Sequence, residues 1–367
     1  MRGFVLCAAA LAGRVMHHKF TCLDGLRGLA ALFVLLRHTG DYWSFYLHRS
    51  YLAVDMFFLL SGFVIAHSYE ARLAAGQLSA LQFIMIRLVR LYPMYLLALA
   101  VSMLASTSVT SAAGVGRALA MWPTLSGGVM FPLNVAFWSL SFELAINLLY
   151  AVARPWLTNR MLAAAVAMLA AVLAVLVVLT GQLDLGWRGR PLDLAGGLAR
   201  SAFGFLFGIW LYRHREWFWH WLPHRLGPWH VAVVVSAVFW CPVTGTMDTA
   251  VDLVAATLVL PACMLAAGRP TPTRGVRIMT LLGAASYPLY LLHWPLAELA
   301  SRRFPGWIAA NPNDSGLAFA AAVLLMSVLL DRFVDVPVRA WLTRMLRLPG
   351  RQHAANLPPV DLQPQRG

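Results

Sequence analysis

Long apolar runs follow one another along most of the chain, and this feature narrows the possible folds more than any other. A helix that crosses a bilayer needs about 20 mostly apolar residues, and runs of that length recur between short polar connections. The pattern predicts an all-α polytopic membrane protein with about ten transmembrane helices. The predicted segments are 21–38, 51–70, 84–105, 134–152, 161–180, 195–213, 229–246, 249–268, 277–300 and 315–338.

The composition agrees with a bilayer environment. Of 367 residues, 60% are hydrophobic and only 12% are charged, whereas soluble domains carry about 25% charged residues. The formal net charge is +14, but the cations stand at the ends of apolar runs and do not form a polar basic surface. The excess of cations typical of cytoplasmic loops explains this distribution, so we expect no nucleic-acid partner.

The distribution of arginines orients the predicted helices. If the N-terminus is cytoplasmic, the loops on that side hold most arginines, among them Arg154, Arg213 and Arg269, while fewer, such as Arg49 and Arg117, lie outside. We therefore expect a multi-pass protein of the bacterial cytoplasmic (inner) membrane with both termini cytoplasmic.

Three regions are expected along the chain. Residues 1–19 are interpreted as an N-terminal extension; a weak signal peptide and an over-extended start, with Met16 as the alternative start, remain open. Residues 20–345 form the membrane domain. Residues 346–367, polar and rich in proline, are expected to be a disordered cytoplasmic tail.

The cysteines do not indicate a metal centre. Cys7, Cys22, Cys241 and Cys263 are far apart in sequence, and none forms a CxxC pair. This spacing predicts neither a metal site nor a disulfide framework.

Two ionisable residues share one face of the first apolar segment. Arg27 and His38 are eleven residues apart, which is about 20° from three full helical turns and about 16 Å along the axis. Ionisable residues inside membrane segments usually line an internal cavity or pathway. We therefore expect a single water-accessible slot across the bilayer, with Arg27 at its inner end and His38 toward its outer side.

Five sequence stretches carry a family resemblance. "LDGLRGLAALFVLLRH" (23–38), with ten residues between Arg27 and His38, resembles the first helix of the acyltransferase 3 family. Further stretches are similar to later parts of that family, in the same order. These are "VDMFFLLSGFVI" (54–65), "RLVRLYP" (87–93), "FWSLSFELAINLLY" (137–150) and "SYPLYLLHWPL" (286–296).

The resemblance covers residues 20–340 and implies an integral membrane O-acyltransferase of surface carbohydrates. Its donor would be acyl-CoA, with acetyl as the expected group and no permanently bound cofactor; the acceptor would be a polysaccharide, a lipopolysaccharide O-antigen or a similar glycan. One departure is visible near the end, where Asp335, Pro337 and Arg339 stand where the family often has Glu-x-Pro-x-Arg.

The chemistry of O-acyl transfer assigns expected roles to these residues. A base must take a proton from the acceptor hydroxyl, and His38 is the expected general base because an unperturbed imidazole titrates near pH 6.5. His293 remains a second possible base, although it could also only cap a proline kink. Glu143, or else Asp55, would orient His38; pairing of each carboxylate with an internal arginine is the open alternative.

The inner end of the slot would hold the donor. Arg27, Arg87 and Arg90 would bind the acyl-CoA phosphates, because guanidinium groups grip phosphate oxygens bidentately, and Tyr92 is placed with them. The remaining residues expected to line the slot are Asp24, Ser61, Trp138, Ser139, Ser286, Tyr290 and His293. A transporter or flippase without catalysis, and a structural or sensory membrane protein, remain alternatives with the same buried polar residues.

Overall fold

The computed structural model describes residues 20–106, 111–126, 128–223, 226–242, 247–269 and 275–349. The expected N-terminal extension and all but the first residues of the expected tail lie outside this part of the chain. Within it, thirteen helices follow one another. They are α1 (Thr21–His38), α2 (Leu52–Ala74), α3 (Ala80–Ala105), α4 (Ala112–Leu119), α5 (Phe137–Ala153), α6 (Asn159–Thr180), α7 (Pro191–Arg213), α8 (Arg215–Trp221), α9 (Pro228–Trp240), α10 (Asp248–Ala267), α11 (Val276–Arg303), α12 (Pro305–Ala310) and α13 (Asp314–Met345).

The all-α prediction is confirmed, and each of the ten apolar segments overlaps a helix; residues 243–246 of the segment 229–246 lie outside the described residues. Six helices are long and apolar enough to cross a membrane, namely α2, α3, α6, α7, α10 and α13. Among the others, α1 carries three charged residues, while α5 has 17 residues and α9 has 13. The polytopic architecture follows from the six spans alone.

Three of the long helices contain a π-helical turn, which the sequence did not predict. These turns span Ala66–Glu70 in α2, Ala255–Val259 in α10 and Asp331–Asp335 in α13. A π-helical turn inserts one residue into the helical repeat and often occurs at functional sites. In α13 it places Asp335, whose side chain is fully buried, against Arg90 of α3 at 3.1 Å.

Two pairs of helices pack closely and in parallel. Helix α1 lies along α11, where a Cβ added to Gly28 would stand 2.6 Å from the Leu282 carbonyl oxygen. Helix α2 lies along α7, where a Cβ on Gly208 would clash with the Leu59 carbonyl. Small residues allow such close backbone approach between helices in a membrane. The pair α1–α11 carries Arg27, His38 and His293.

A proline inside α11 is accommodated by a side chain from another segment. Pro295 has no N–H, so the carbonyl of Leu291 lacks its usual helical donor. The buried Asn134, just before α5, donates its Nδ2–H to that carbonyl at 2.9 Å. Its Oδ1 also accepts the Ala136 N–H at 3.1 Å, which ties the start of α5 to α11.

Candidate active site

The contact between α1 and α11 turns both ionisable residues of α1 toward one partner helix. Arg27 donates from Nε to the Ser286 hydroxyl at 2.9 Å and from Nη2 to the Gly283 carbonyl at 3.2 Å. His38 lies 2.8 Å from His293, measured from Nδ1 to Nε2. The expectation that Arg27 and His38 share a face is confirmed, because both meet α11.

The first cavity, called here the basic cavity, has a volume of about 130 Å³ and lies at the Arg27 end. It brings together residues of five helices that are distant in sequence. Its polar lining consists of Arg27, Ser61, Arg87, Arg90, Ser139, Glu143, Ser286, Tyr287 and Tyr290.

Each arginine of the basic cavity has a carboxylate partner. Arg27 pairs with Asp24 at 2.9 Å on the same helix. Arg90 pairs with Asp335, as described above, and its guanidinium carbon lies 5.4 Å from the centre of the Tyr287 ring. The three guanidiniums therefore line one cavity, and a carboxylate compensates the charge of each.

Glu143 is the carboxylate at the centre of this cavity. Its Oε1 accepts hydrogen bonds from Arg87 Nη2 at 2.8 Å and from the Ser61 hydroxyl at 2.7 Å. Because Glu143 is held here, it does not contact His38. Glu143 pairs with an internal arginine, Arg87, which is the alternative left open by the sequence.

The second cavity, called here the histidine cavity, has a volume of about 280 Å³ and lies at the His38 end. Six of its fourteen lining residues are tyrosine or tryptophan, and three are charged. The lining includes Arg37, His38, Tyr46, Tyr51, Trp138, Asp184, Trp187, Arg200, Tyr290 and Trp294.

The hydrogen bonds of the two histidines assign a tautomer to each. His293 Nδ1 lies 3.2 Å from the Leu289 carbonyl, which can only accept, so this nitrogen carries the proton. In a neutral ring His293 Nε2 is then an acceptor, and His38 must donate to it from Nδ1. The lone pair of His38 is therefore on Nε2, which is the arrangement a general base requires.

His293 thus holds the orienting position that we had expected for a carboxylate. It is fully buried behind His38, and the two rings stack with centroids 5.0 Å apart. The Leu291 carbonyl that Pro295 leaves without a helical donor already accepts from Asn134, so the proline needs no cap from His293.

Asp55 is engaged in a different pair. Its two oxygens accept from Arg200 Nε at 2.9 Å and from Arg200 Nη2 at 2.6 Å, across the α2–α7 contact. Like Glu143, it makes no contact with His38 among the described residues. We expected a carboxylate to orient His38, but Glu143 and Asp55 both bind arginines instead.

Three other expected site residues fall in distinct places. Tyr92 donates its hydroxyl proton to the Leu119 carbonyl at 3.0 Å and lines neither cavity, so it does not stand with the donor arginines. Trp138 lines the histidine cavity, where its ring centre lies 5.4 Å from the Arg200 guanidinium carbon. Ser139 lies at the basic cavity and bonds Tyr290, with 2.6 Å between their hydroxyl oxygens.

Tyr290 lines both cavities, and this observation corrects the expectation of one continuous slot. The Arg27 end and the His38 end are two cavities that meet at the ring of Tyr290. The ring is buried, and its hydroxyl is fixed between Ser139 and the Ala136 carbonyl. Tyr290 is the residue that the two linings share.

Arg37, Asp184 and Arg200 are site residues that the sequence reasoning missed. Arg200 carried a usable signal, because an arginine in the middle of an apolar segment is by default functional or paired. Arg37 stands directly beside His38 in the sequence. Asp184 and Trp187 lie between helices α6 and α7, where periodicity gives no information.

The comparison with known families decides the identity of this arrangement. The acyltransferase domain model of the acyltransferase 3 family matches residues 20–332. The chain belongs to this family. The matching model describes an acyltransferase domain, and its range includes every residue that lines the two cavities.

One curated relative matches a smaller region of the chain. It is "Protein 2 in picA locus" from Rhizobium radiobacter, which is 50% identical over 82 residues. The match covers 22% of this chain and 43% of the relative, so the chain spans less than half the length of that protein. No solved structure matches the chain.

Proposed function

We propose that the protein transfers an acyl group, with acetyl as the expected one, from acyl-CoA to a hydroxyl of a surface or exported carbohydrate. The observation that carries the proposal is the meeting of two chemically different cavities at Tyr290. One is lined by three arginines, and the other contains an imidazole with a free lone pair. Such a pair suits a polyanionic donor on one side and a neutral hydroxyl on the other.

The donor would enter at the basic cavity. Arg27, Arg87 and Arg90 supply planar guanidiniums suited to phosphate oxygens. Each arginine is paired with a carboxylate, so a phosphate that binds here would replace a carboxylate as the partner of a guanidinium. The pantetheine arm would then pass Tyr290 and bring the thioester carbonyl to the His38 side.

The reaction would proceed by direct transfer. His38 Nε2 takes the proton of the acceptor hydroxyl while that oxygen attacks the thioester carbonyl carbon, which gives a tetrahedral oxyanion. The oxyanion collapses, the C–S bond breaks, and the CoA sulfur receives the proton from the imidazolium. The products are the O-acyl ester and free CoA. His293 holds His38 in the required tautomer throughout.

The membrane placement is part of the proposal. We infer a bacterial cytoplasmic membrane, with the Arg27 end and both termini in the cytoplasm and the His38 end facing outward. The excess of arginines in the loops assigned to the cytoplasm supports this orientation. It also places the basic cavity on the side where acyl-CoA is made.

The test is acyl transfer by purified protein with radiolabelled acetyl-CoA and a polysaccharide acceptor. We expect label in the polysaccharide. His38→Ala should lower the turnover by about 10²–10⁴-fold, as for loss of a general base, while acetyl-CoA binding is retained. His293→Ala, which keeps the base but removes its partner, should lower the turnover less.

Two outcomes would contradict the proposal. If wild-type protein binds acetyl-CoA but labels no saccharide, a carbohydrate is not the acceptor. Full turnover by folded His38→Ala protein would remove His38 as the base.

A further inference from the structure

Resting on the proposed function, the structure assigns a binding subsite for an uncharged hydroxylated ring to the histidine cavity, with Asp184 and Trp187 as its recognition residues. Neither residue carries a role in the chemistry above. The acceptor would bind in the histidine cavity, and it would be uncharged.

The charges that face the histidine cavity compensate one another. Arg200 has a fully buried side chain and is bound by both oxygens of Asp55. Arg37 donates from Nη2 to Asp184 Oδ2 at 2.8 Å, and from Nη1 to the Leu47 and His48 carbonyls. Two guanidiniums thus meet two carboxylates. Arg188, which stacks at 4.0 Å on the Trp187 ring, is not part of the lining.

A charged sugar is disfavoured by this balance. A carboxylate or phosphate brought into this cavity would be partly desolvated, and both guanidiniums there are already bound to carboxylates. An uncharged ring carries no such penalty. The basic cavity has the larger surplus of cations in its lining, with three arginines and one carboxylate, whereas the histidine cavity has two arginines and one carboxylate.

Asp184 has the capacity to accept hydrogen bonds from a ligand. Its Oδ2 is used by Arg37, but its Oδ1 lies 3.9 Å from Arg200 Nη1, beyond hydrogen-bond distance. The side chain retains 24% exposure and lines the cavity. A carboxylate oxygen fixed by a guanidinium and open on its other side suits sugar hydroxyls, which donate.

The aromatic walls suit the faces of a ring. Trp138, Trp187 and Trp294 line the cavity together with Tyr46 and Tyr51. Tyr51 uses its hydroxyl on Asp252, and its ring lies between Arg37 and Arg200, at 5.3 and 5.6 Å. Trp294 meets His38 edge-on with centroids 5.3 Å apart. A ring bound here would have a hydroxyl within reach of the base.

The test compares two probes of opposite charge class on purified protein. They are methyl α-D-glucopyranoside and methyl α-D-glucuronopyranoside, each measured both by calorimetric binding and as acceptor for acetyl transfer. Wild-type protein should favour the neutral glucoside at least tenfold. Asp184→Asn leaves Arg37 uncompensated, so it should weaken neutral binding about tenfold and shift the preference toward the uronate, with the KM for acetyl-CoA unchanged.

Two further variants separate recognition from folding. Trp187→Leu should weaken both probes without changing their ratio. Glu298→Gln removes an exposed carboxylate that pairs with Arg302 near the same end of α11, and it should change neither binding nor ratio.

The outcomes distinguish this inference from the proposed function. Binding with the stated preference but without acetyl transfer would support the subsite and contradict the proposed reaction. Transfer with a wild-type preference for the uronate, or with a ratio unchanged by Asp184→Asn, would overturn the subsite and leave the reaction standing. Absence of both binding and transfer would contradict both.

Discussion

At the scale of single residues, the pair Arg27 and His38 illustrates what a helical sequence reveals. Their spacing alone placed them on one face, because helical periodicity is a local property. Their partners were not predictable in this way. Ser286 and His293 lie on α11, more than 250 positions further along the chain, and depend on how the helices pack.

The partners of the carboxylates were likewise not predictable from the sequence. Asp55 and Glu143 stood out as polar residues in apolar segments, and both are indeed in paired, part-buried positions. Which cation each one meets is set by the contacts between helices. Their expected pairing with His38 was therefore wrong.

Arg87 is the residue whose replacement tests the donor site most cleanly. Arg87→Ala removes a guanidinium from the basic cavity, and a charge-assisted hydrogen bond contributes about 1.5–3 kcal/mol. We expect the KM for acetyl-CoA to rise at least tenfold, while the KM for the saccharide changes little. Steady-state kinetics with each substrate varied in turn measures this.

Arg277→Ala is the matched control for Arg87. Arg277 is an exposed cation at the start of α11 and does not line the basic cavity. Its loss should leave both KM values unchanged. A similar rise for both variants would indicate a general effect of charge, and an unchanged donor KM for Arg87→Ala would remove this residue from the donor site.

At the scale of elements, the positions of the helices follow from the apolar pattern. The three π-helical turns and the parallel pairings of α1 with α11 and α2 with α7 do not. Both features depend on contacts between distant segments, and glycine alone does not say which helix will approach it.

The α1–α11 contact can be tested at Gly28. A methyl carbon there would lie 2.6 Å from the Leu282 carbonyl oxygen, which is closer than van der Waals contact. Gly28→Ala should destabilise the protein by about 1–3 kcal/mol, as for overpacking of a tight interface. The melting temperature in detergent should fall, and transfer activity should fall with it.

Gly116→Ala in α4 is the control for this substitution. A Cβ at Gly116 meets nothing within 4 Å, and alanine favours a helix more than glycine does. We expect an equal or higher melting temperature. A Gly28→Ala protein as stable as this control would show that α1 and α11 are not held at the described distance.

At the scale of the whole molecule, the sequence predicted the two ends of the site better than their connection. Arg27, Arg87 and Arg90 line one cavity and His38 lines the other. The continuous slot between them is instead two cavities joined at Tyr290, because the buried ring of this residue and its bond to Ser139 occupy the middle. The volume left between packed helices is a property of all side chains together.

The central claim is that donor and acceptor reach His38 from opposite faces of the membrane. Proteoliposomes with the saccharide enclosed and radiolabelled acetyl-CoA added only outside test it most directly, with His38→Ala protein as the blank. Molecules whose Arg27 end faces outward should label the enclosed saccharide. Label that forms only when acetyl-CoA and saccharide share one compartment would contradict the account.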